Sequence, residues 1–538
     1  MNIRTSTYGL LKLLTALLLL PIASACSLVT DDIDNIENQS ETRYINLTIA
    51  VNTGNQSHTR APLGGENGDG REAGFDRENQ VTGITLILYE DETGINTTEN
   101  PALSFVQYYP TTLESRDAAG QKKTGTNDHD ADKSDLDEAV YTTGDQRVAP
   151  GALTFGKAYH AIVVANKDLT ASLSTSSHLN DVKGLIYGAD DLYVGIYGKT
   201  AYNCRDFMMS SEYDYVMDLT TPTVIETNRL YYRPTEPIRI ERLAARIDFW
   251  AAGGTYTEKV DKGGTPTDIY GNRYGYVYNV EGSSDKFVVV SITPFNLYSK
   301  GTTYGGEKLL KQLSTGYLLD ETTENYVLDP STASKTTTNV EAFGTDGTYL
   351  NPLSQIYADL NASTPKAMSA AGSPGYYQTV KAMHDKIGSQ GGFGPTFNNG
   401  GVKTGENIIV AYPMENTLPA EVTPTTPLFT YATGVIIEGD YYMGGDLTVA
   451  PTETRVYIGY LMHQSGSGSA TYSPFMSNDA SVRTAVPSST AMNYGVVRNN
   501  IYRISIEKVS KRTPDQPKLT IRIEEEKWRH VDNPTIYI

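Results

Sequence analysis

Cysteine is almost missing: Cys26 and Cys204 are the only two in 538 residues. Cys26 closes a leader, so one thiol remains for the body of the chain. That excludes an internal disulfide and a cysteine-based metal site of the usual kind. Apolar burial and sheet hydrogen bonds must hold the fold instead. Positive charge is short as well. Lys and Arg total 44 against 63 Asp and Glu, for a net charge of −19. So acidic a chain repels nucleic acid and anionic lipid, and no nucleic-acid partner is expected. Histidine is sparse, seven in all, and never in the His-x-x-x-His spacing of a ligand pair. Helical periodicity is confined to 307–313 and 377–387, each long enough for two or three turns. Phenylalanine (12) and tryptophan (2) are few beside 38 tyrosines. Tyrosine suits a sheet with one wet face, where its ring packs and its hydroxyl meets water.

Chemistry-bearing motifs are lacking too. The run 128–135 is acidic like a calcium loop, but its sixth position is Lys133 where glycine is needed, and its twelfth is Ala139 where glutamate is needed. Gly64-Gly65, Gly466 and Gly468 are followed by no Lys-Ser/Thr pair, so no phosphate cradle is implied. Ser465-Gly466-Ser467-Gly468-Ser469 is low-complexity loop, not a nucleophile elbow. Cys204 has Arg205 beside it but no base. No catalytic, cofactor or metal site is assigned, and the chain reads as a non-enzyme.

What is present begins with the leader. Arg4 and Lys12 precede an apolar run, 13–23, too short to span a bilayer. The run ends Ile22-Ala23-Ser24-Ala25-Cys26. Small residues before a cysteine are the pattern of a lipoprotein signal. The thiol takes a diacylglycerol, the chain is cut before it, and the new amine is acylated, with palmitate as the expected chain. Each buried CH₂ adds about 0.8 kcal/mol to anchoring. An ordinary secretory signal cleaved after Ala25 is the alternative, and both carry the chain out of the cytoplasm.

Residues 27–42 are polar, with Asp31, Asp32 and Asp34 close to the cysteine, and read as a tether. In 44–51, Ile45, Leu47, Ile49 and Val51 recur with period two and line one face of a strand. The following stretch, 52–79, is rich in Gly, Asn and charge and holds Arg60, Arg71 and Arg77. Further strands are expected at 84–89, 159–166, 287–292, 407–412 and 455–461, with turn-forming clusters between them. The fold class is mainly β: sandwiches with long loops and few short helices. Pro234 and Pro237 mark a semi-rigid link, which places a first β-domain at 61–236 and a second at 237–538, the segment 238–249 starting a new sheet. The far end alternates again at 500–506 and 519–523, and 527–538 is unusually apolar for a terminal stretch.

Several of these segments together resemble one family. They are the lipobox at Cys26, the site Thr59-Arg60-Ala61, the run Arg242-Leu243-Ala244-Ala245-Arg246-Ile247 and the segment Val163-Val164-Ala165-Asn166. The ending Tyr494-Gly495-Val496-Val497-Arg498-Asn499-Asn500-Ile501-Tyr502-Arg503, with Lys527-Trp528-Arg529-His530-Val531, is the most specific part. All are similar to the Bacteroidales fimbrillins, the type V pilus subunits, and most of all to the short-fimbria major subunits. The resemblance implies two transthyretin-like, Greek-key β-sandwich domains. It implies a precursor carried to the outer membrane as a lipoprotein, with 1–26 as signal and 27–60 as propeptide. An arginine-specific protease would cut between Arg60 and Ala61, with Arg71 and Arg77 as fallbacks, and remove the strand bearing Ile45, Leu47, Ile49 and Val51.

A neighbour's C-terminal strand would then fill the groove by β-augmentation, a head-to-tail contact that propagates as a filament. Candidate donor side chains are Leu519, Ile521 and Ile523 in one run, and Trp528, Val531, Ile536 and Ile538 in the next; which run inserts stays open. Expected partners are further copies of the chain, accessory, anchor and tip subunits, the protease, and host or bacterial surface ligands. The alternative is a surface glycan-binding outer-membrane lipoprotein of a nutrient-uptake system, which would keep both anchor and first strand. A membrane-retained anchor or a tip subunit of the same pilus is a third reading.

Overall fold

The computed structural model describes residues 42–51, 71–72, 78–90, 94–115, 139–188, 191–193, 204–212, 214–222, 224–226, 229–232, 238–251, 254–257, 275–298, 307–311, 349–350, 380, 395–397, 403–416, 432–461, 468–472, 495–512 and 516–528. Strands dominate them, and the longest described helix is Leu179–Lys183. The molecule is mainly β, built from several sheets.

Three sheets carry most of the structure. A nine-stranded sheet runs in the order Leu103–Pro110, Gly83–Tyr89, Ala158–Ala165, Met209–Ser211, Ile238–Arg242, Thr48–Val51, Ala139–Thr142, Thr112–Ser115, with Tyr215–Asp218 added on Ala158–Ala165. A four-stranded sheet has the order Val224–Glu226, Arg229–Tyr232, Thr42–Ile45, Gln146–Arg147. A twelve-stranded sheet holds the later part of the chain, with Arg246–Trp250, Asn500–Arg512, Gly275–Glu281, Lys286–Phe295, Gly434–Tyr442 and Glu453–Tyr460 in successive places.

The apolar runs form the central strands because they can be covered on both faces. Every residue of Gly83–Tyr89 is buried, as is every residue of Gly434–Tyr442. Ile162, Val163, Ile292, Ile408 and Ile436 are fully buried in one continuous core. Tyrosine plays a larger part inside than a wet-face role predicts. Tyr89, Tyr159, Tyr276 and Tyr412 are among the largest fully buried side chains. Tyr159 donates to the Thr154 carbonyl at 2.8 Å, which satisfies its hydroxyl.

Two sequence expectations change. Residues 307–313 do not begin a helix: Glu307–Lys308 is a strand paired with Ile186–Tyr187. A partner more than a hundred residues away outweighs the local periodicity. The segment 238–249 is likewise divided. Ile238–Arg242 lies in the nine-stranded sheet and Arg246–Trp250 in the twelve-stranded one. The chain therefore changes sheet twice here: from the four-stranded sheet to the nine-stranded one between Tyr232 and Ile238, on either side of the proline pair, and again at the fully buried Leu243, Ala244 and Ala245.

Candidate functional site

The leading segment is woven into both early sheets. Thr42–Ile45 runs parallel to Arg229–Tyr232, in the register Tyr44 opposite Tyr231. On its other side it pairs antiparallel with Gln146–Arg147, Tyr44 opposite Arg147. Thr48–Val51 runs parallel to Ile238–Arg242, Ile49 opposite Ile238, and antiparallel to Ala139–Thr142, Ile49 opposite Tyr141. Sequence alternation suggests a single strand over 44–51, but the structure breaks it at Asn46 and Leu47. The break lets the segment leave the four-stranded sheet and enter the nine-stranded one beside its partner 229–242.

Asn46 holds that crossing. Its backbone N–H donates to the Tyr232 carbonyl at 3.1 Å. Its Nδ2 donates to Asp145 Oδ1 at 2.8 Å, and its Oδ1 accepts from Thr142 Oγ1 at 2.9 Å. Leu47 donates its N–H to Thr143 Oγ1 at 3.0 Å and accepts the Thr143 N–H at 3.1 Å. The Val148 N–H reaches the Arg43 carbonyl at 2.9 Å. Tyr44 stacks on Tyr231 with 5.1 Å between ring centroids, and the Arg43 guanidinium lies 4.7 Å from the Phe155 ring centroid.

Ile45, Leu47 and Ile49 have no exposed surface and belong to the main core. Burial of side chains of this size contributes about 1.5–3 kcal/mol each. Among the described strands, Gln146–Arg147 pairs only with Thr42–Ile45, and Ala139–Thr142 joins the nine-stranded sheet only through Thr48–Val51. Taking out 42–51 would unfasten both from their sheets and leave backbone donors and acceptors unpaired on each flank.

A second built feature lies at the end of the stretch that holds the arginines. Glu78 is fully buried, and its Oε2 accepts from Arg246 Nη1 at 2.9 Å while its other oxygen accepts from the Tyr412 hydroxyl. Arg246 also grips Asp248 with two bonds, 3.0 and 2.9 Å. Arg242 donates Nε to the Glu78 carbonyl at 3.0 Å, Nη1 to Asn499 Oδ1 at 3.2 Å, and Nη2 to Asn79. Burial alone would lower the Arg246 guanidinium, but Asp248 and Glu78 outweigh it and raise it. For Arg242 burial wins, helped by neighbouring Arg246, and brings it down to about 10. Nearby, Arg498 pairs with Glu415 at 2.9 Å. Glu241 is buried 3.6 Å from Lys311, and burial pushes its carboxyl up.

The expected C-terminal residues separate into two groups. Leu519, Ile521 and Ile523 lie on Gln516–Trp528. That strand pairs on one side with Asn500–Arg512, Leu519 opposite Val509 and Ile523 opposite Ile504. On the other side it pairs with Gly468–Tyr472, Leu519 opposite Tyr472 and Ile523 opposite Gly468. Both backbone edges of this run are thus used within its own chain. Trp528 stands opposite Glu72, and Lys527 opposite Arg71. Val531, Ile536 and Ile538 lie outside the described residues, as do Cys26, Arg60, Ala61, Arg77 and the acidic run 128–135. Cys204 is a buried free thiol. His160 Nδ1 stands 3.0 Å from Asp214 Oδ2, and its ring stacks on Tyr89 at 5.3 Å. Sequence reasoning did not find Glu78, Asp248 or Glu415. Their signal, a carboxylate within or beside apolar strand residues, is plain only once the arginine partners are placed.

No family model matches the sequence, and no curated protein matches it. Solved structures do. The tip fimbrial protein Mfa3 from Porphyromonas gingivalis, with C-terminal truncation, aligns over 90% of this chain and 100% of its own, with 10% identity and a TM-score of 0.34. A fimbrilin from Porphyromonas gingivalis W83 aligns over 92% of this chain and 100% of its own, with 12% identity and a TM-score of 0.34.

Proposed function

We propose that this chain is a structural subunit of a cell-surface fimbria, a pilus shaft protein that supports adhesion and has no enzymatic role. It is exported as a lipoprotein anchored through Cys26 to the outer membrane. It is cut after Arg60 by an arginine-specific protease and polymerises by exchange of strands between copies. Its partners are other copies head to tail, together with accessory, anchor and tip subunits.

The observation that supports this reading most is the position of 42–51. The segment precedes the arginine-bearing stretch in sequence, yet it fills an inner place in two sheets with Ile45, Leu47 and Ile49 fully buried. A segment cut from the chain after Val51 is no longer held covalently, and its departure leaves an apolar groove flanked by unpaired strands. The natural occupant of such a groove is another strand. A contact in which one surface of a copy meets a different surface of the next does not close on itself, and it grows into a fibre. From Glu78 onward the chain is fastened by Arg242, Arg246 and Tyr412, so the remainder keeps its attachment to both large sheets when the leading segment goes.

Mass spectrometry of the mature surface protein tests the reading. An N-terminus at Ala61 together with SDS-resistant ladders is the expected result. A mature protein that keeps a lipidated Cys26 and remains monomeric would instead favour a surface-binding lipoprotein.

A further inference from the structure

The segment 78–82 is tied down at every residue, and this limits which bond a protease can reach. We infer that it is the stop at which trimming ends. It closes the Arg77–Glu78 bond, so the fold, and not the mere presence of arginine, selects the bond that is cut. This rests on the processing reading above and adds to it the residues that set its downstream limit.

A protease takes its substrate as an extended strand over several residues on either side of the cut, and it bonds to that backbone. A cut after Arg77 would need Glu78, Asn79, Gln80 and Val81 in the cleft. Glu78 has no exposed surface, and Asn79 and Val81 keep 2% each. The Glu78 carboxylate accepts from Arg246 Nη1 at 2.9 Å and from the Tyr412 hydroxyl, and its carbonyl accepts from Arg242 Nε at 3.0 Å. Asn79 Oδ1 accepts from Arg242 Nη2. The Gln80 carbonyl accepts from Asn166 Nδ2 at 2.8 Å, and the Val81 carbonyl from Thr111 Oγ1 at 2.7 Å. Thr82 donates its N–H to Asn166 Oδ1 at 2.8 Å and accepts the Thr111 N–H at 3.2 Å.

These ties come from separate parts of the fold. Arg242 ends a strand of the nine-stranded sheet, and Arg246 begins one of the twelve-stranded sheet. Asn166 follows the strand Ala158–Ala165, and Thr111 lies between Leu103–Pro110 and Thr112–Ser115. No small local opening therefore exposes the bond. Cutting follows the population of locally opened chain, and an opening that breaks a buried ion pair and several buried hydrogen bonds is rare. The stop also decides what the trimmed chain retains. A cut after Arg77 would discard Arg71–Glu72, the strand paired with Lys527–Trp528. A cut after Arg60 keeps it.

Prolonged digestion of the full-length chain with an arginine-specific endoprotease, followed by peptide mass spectrometry, reads the rate at each bond. A synthetic peptide spanning 72–83 gives the rate for the same sequence without the fold. The Arg77–Glu78 bond should be cut at least about a hundredfold more slowly in the chain than in the peptide. Equal rates would overturn the inference. Tyr412→Phe combined with Thr111→Val removes two of the ties and leaves the sequence around the bond unchanged. It should speed the cut at least about tenfold, and Tyr412→Phe alone, which keeps the ring in the core, about threefold or more. Ile436→Val, in a distant strand, lowers stability by a similar amount and should leave the rate at the wild-type value. Equal acceleration by Ile436→Val would mean that global unfolding limits the cut, and it would overturn the assignment of 78–82. An uncut Arg60–Ala61 bond beside a resistant Arg77–Glu78 bond would remove the processing reading and leave the stop standing.

Discussion

Arg246 and Glu78, 168 residues apart in sequence, form a fully buried ion pair with Nη1 to Oε2 at 2.9 Å. The pair joins the end of the arginine-bearing stretch to the strand Arg246–Trp250 of the twelve-stranded sheet. Arg246 simultaneously holds Asp248, also fully buried. One guanidinium therefore neutralises two carboxylates that water cannot reach.

Removing that cation takes a bonded counter-ion from both buried carboxylates, while Arg503 stays 3.8 Å from Asp248 and the Tyr412 hydroxyl stays on Glu78. Arg246→Ala should destabilise the chain by about 3–5 kcal/mol, the usual result of breaking a buried pair from one side. Arg246→Lys should recover little of this, because an ammonium cannot reproduce the forked contact with Asp248. Denaturant midpoints of the two variants at equal m-value measure the loss.

Much of the fold was legible in the sequence, and the illegible parts share a cause. The strands at 83–89 and 286–295 announce themselves by mostly apolar runs, since both faces are covered. The break at Asn46 does not, because the groups that make it, Thr142, Asp145 and Tyr232, are remote in sequence. The same holds for the burial of Arg246, whose partner Glu78 is 168 residues away. The alternation at 519–523 identified a strand, but nothing local shows that both of its edges are occupied. At residues 307–308 the periodicity suggests a helix where the structure has a strand, for a similar reason. Their partner, Ile186–Tyr187, supplies hydrogen bonds that periodicity alone cannot foresee.

Leu47 separates the roles of the two forms of the chain. It is fully buried in the uncut molecule, so Leu47→Ala should cost about 2–5 kcal/mol there through lost burial and the cavity left behind. In the proposed trimming after Arg60, position 47 leaves the subunit, and filaments grown from the variant should then match wild type in heat and SDS resistance. Calorimetry of the precursor and gel stability of the polymer check the two halves. Equal precursor stability would show that 42–51 contributes nothing to the uncut fold.

Glu241 gives a pH dependence whose sign follows from its surroundings. Burial raises its carboxyl above the ordinary value of 4.5, against the opposing pull of Lys311 and Arg498. In the interval just above 4.5 the folded state therefore binds a proton that the unfolded state has released, and this group makes stability fall as pH rises. Glu241→Gln removes that contribution. The variant should gain stability relative to wild type as pH rises toward neutrality, and the difference should shrink below pH 4.5. Urea midpoints across pH 4–8 measure it; a variant that loses stability increasingly as pH rises would show that Lys311 dominates.

Amide exchange at Thr143 and Val148 follows the groove through its whole cycle. In the uncut chain the Thr143 N–H is held by the Leu47 carbonyl at 3.1 Å and the Val148 N–H by the Arg43 carbonyl at 2.9 Å. Both acceptors lie on the segment proposed to leave. The two donors flank Gln146–Arg147, whose only described strand partner is Thr42–Ile45. Both amides should thus be protected in the precursor. They should exchange much faster in the trimmed chain kept monomeric by dilution, because they open locally without global unfolding. On polymerisation, protection should return as a neighbour's strand supplies new carbonyls. The amides of Leu86 and Val163, in strands that keep their neighbours throughout, serve as internal references and should stay slow in all three states. Protection at Thr143 and Val148 that survived trimming in the monomer would mean that the flank closes on itself, leaving nowhere for another copy's strand to enter.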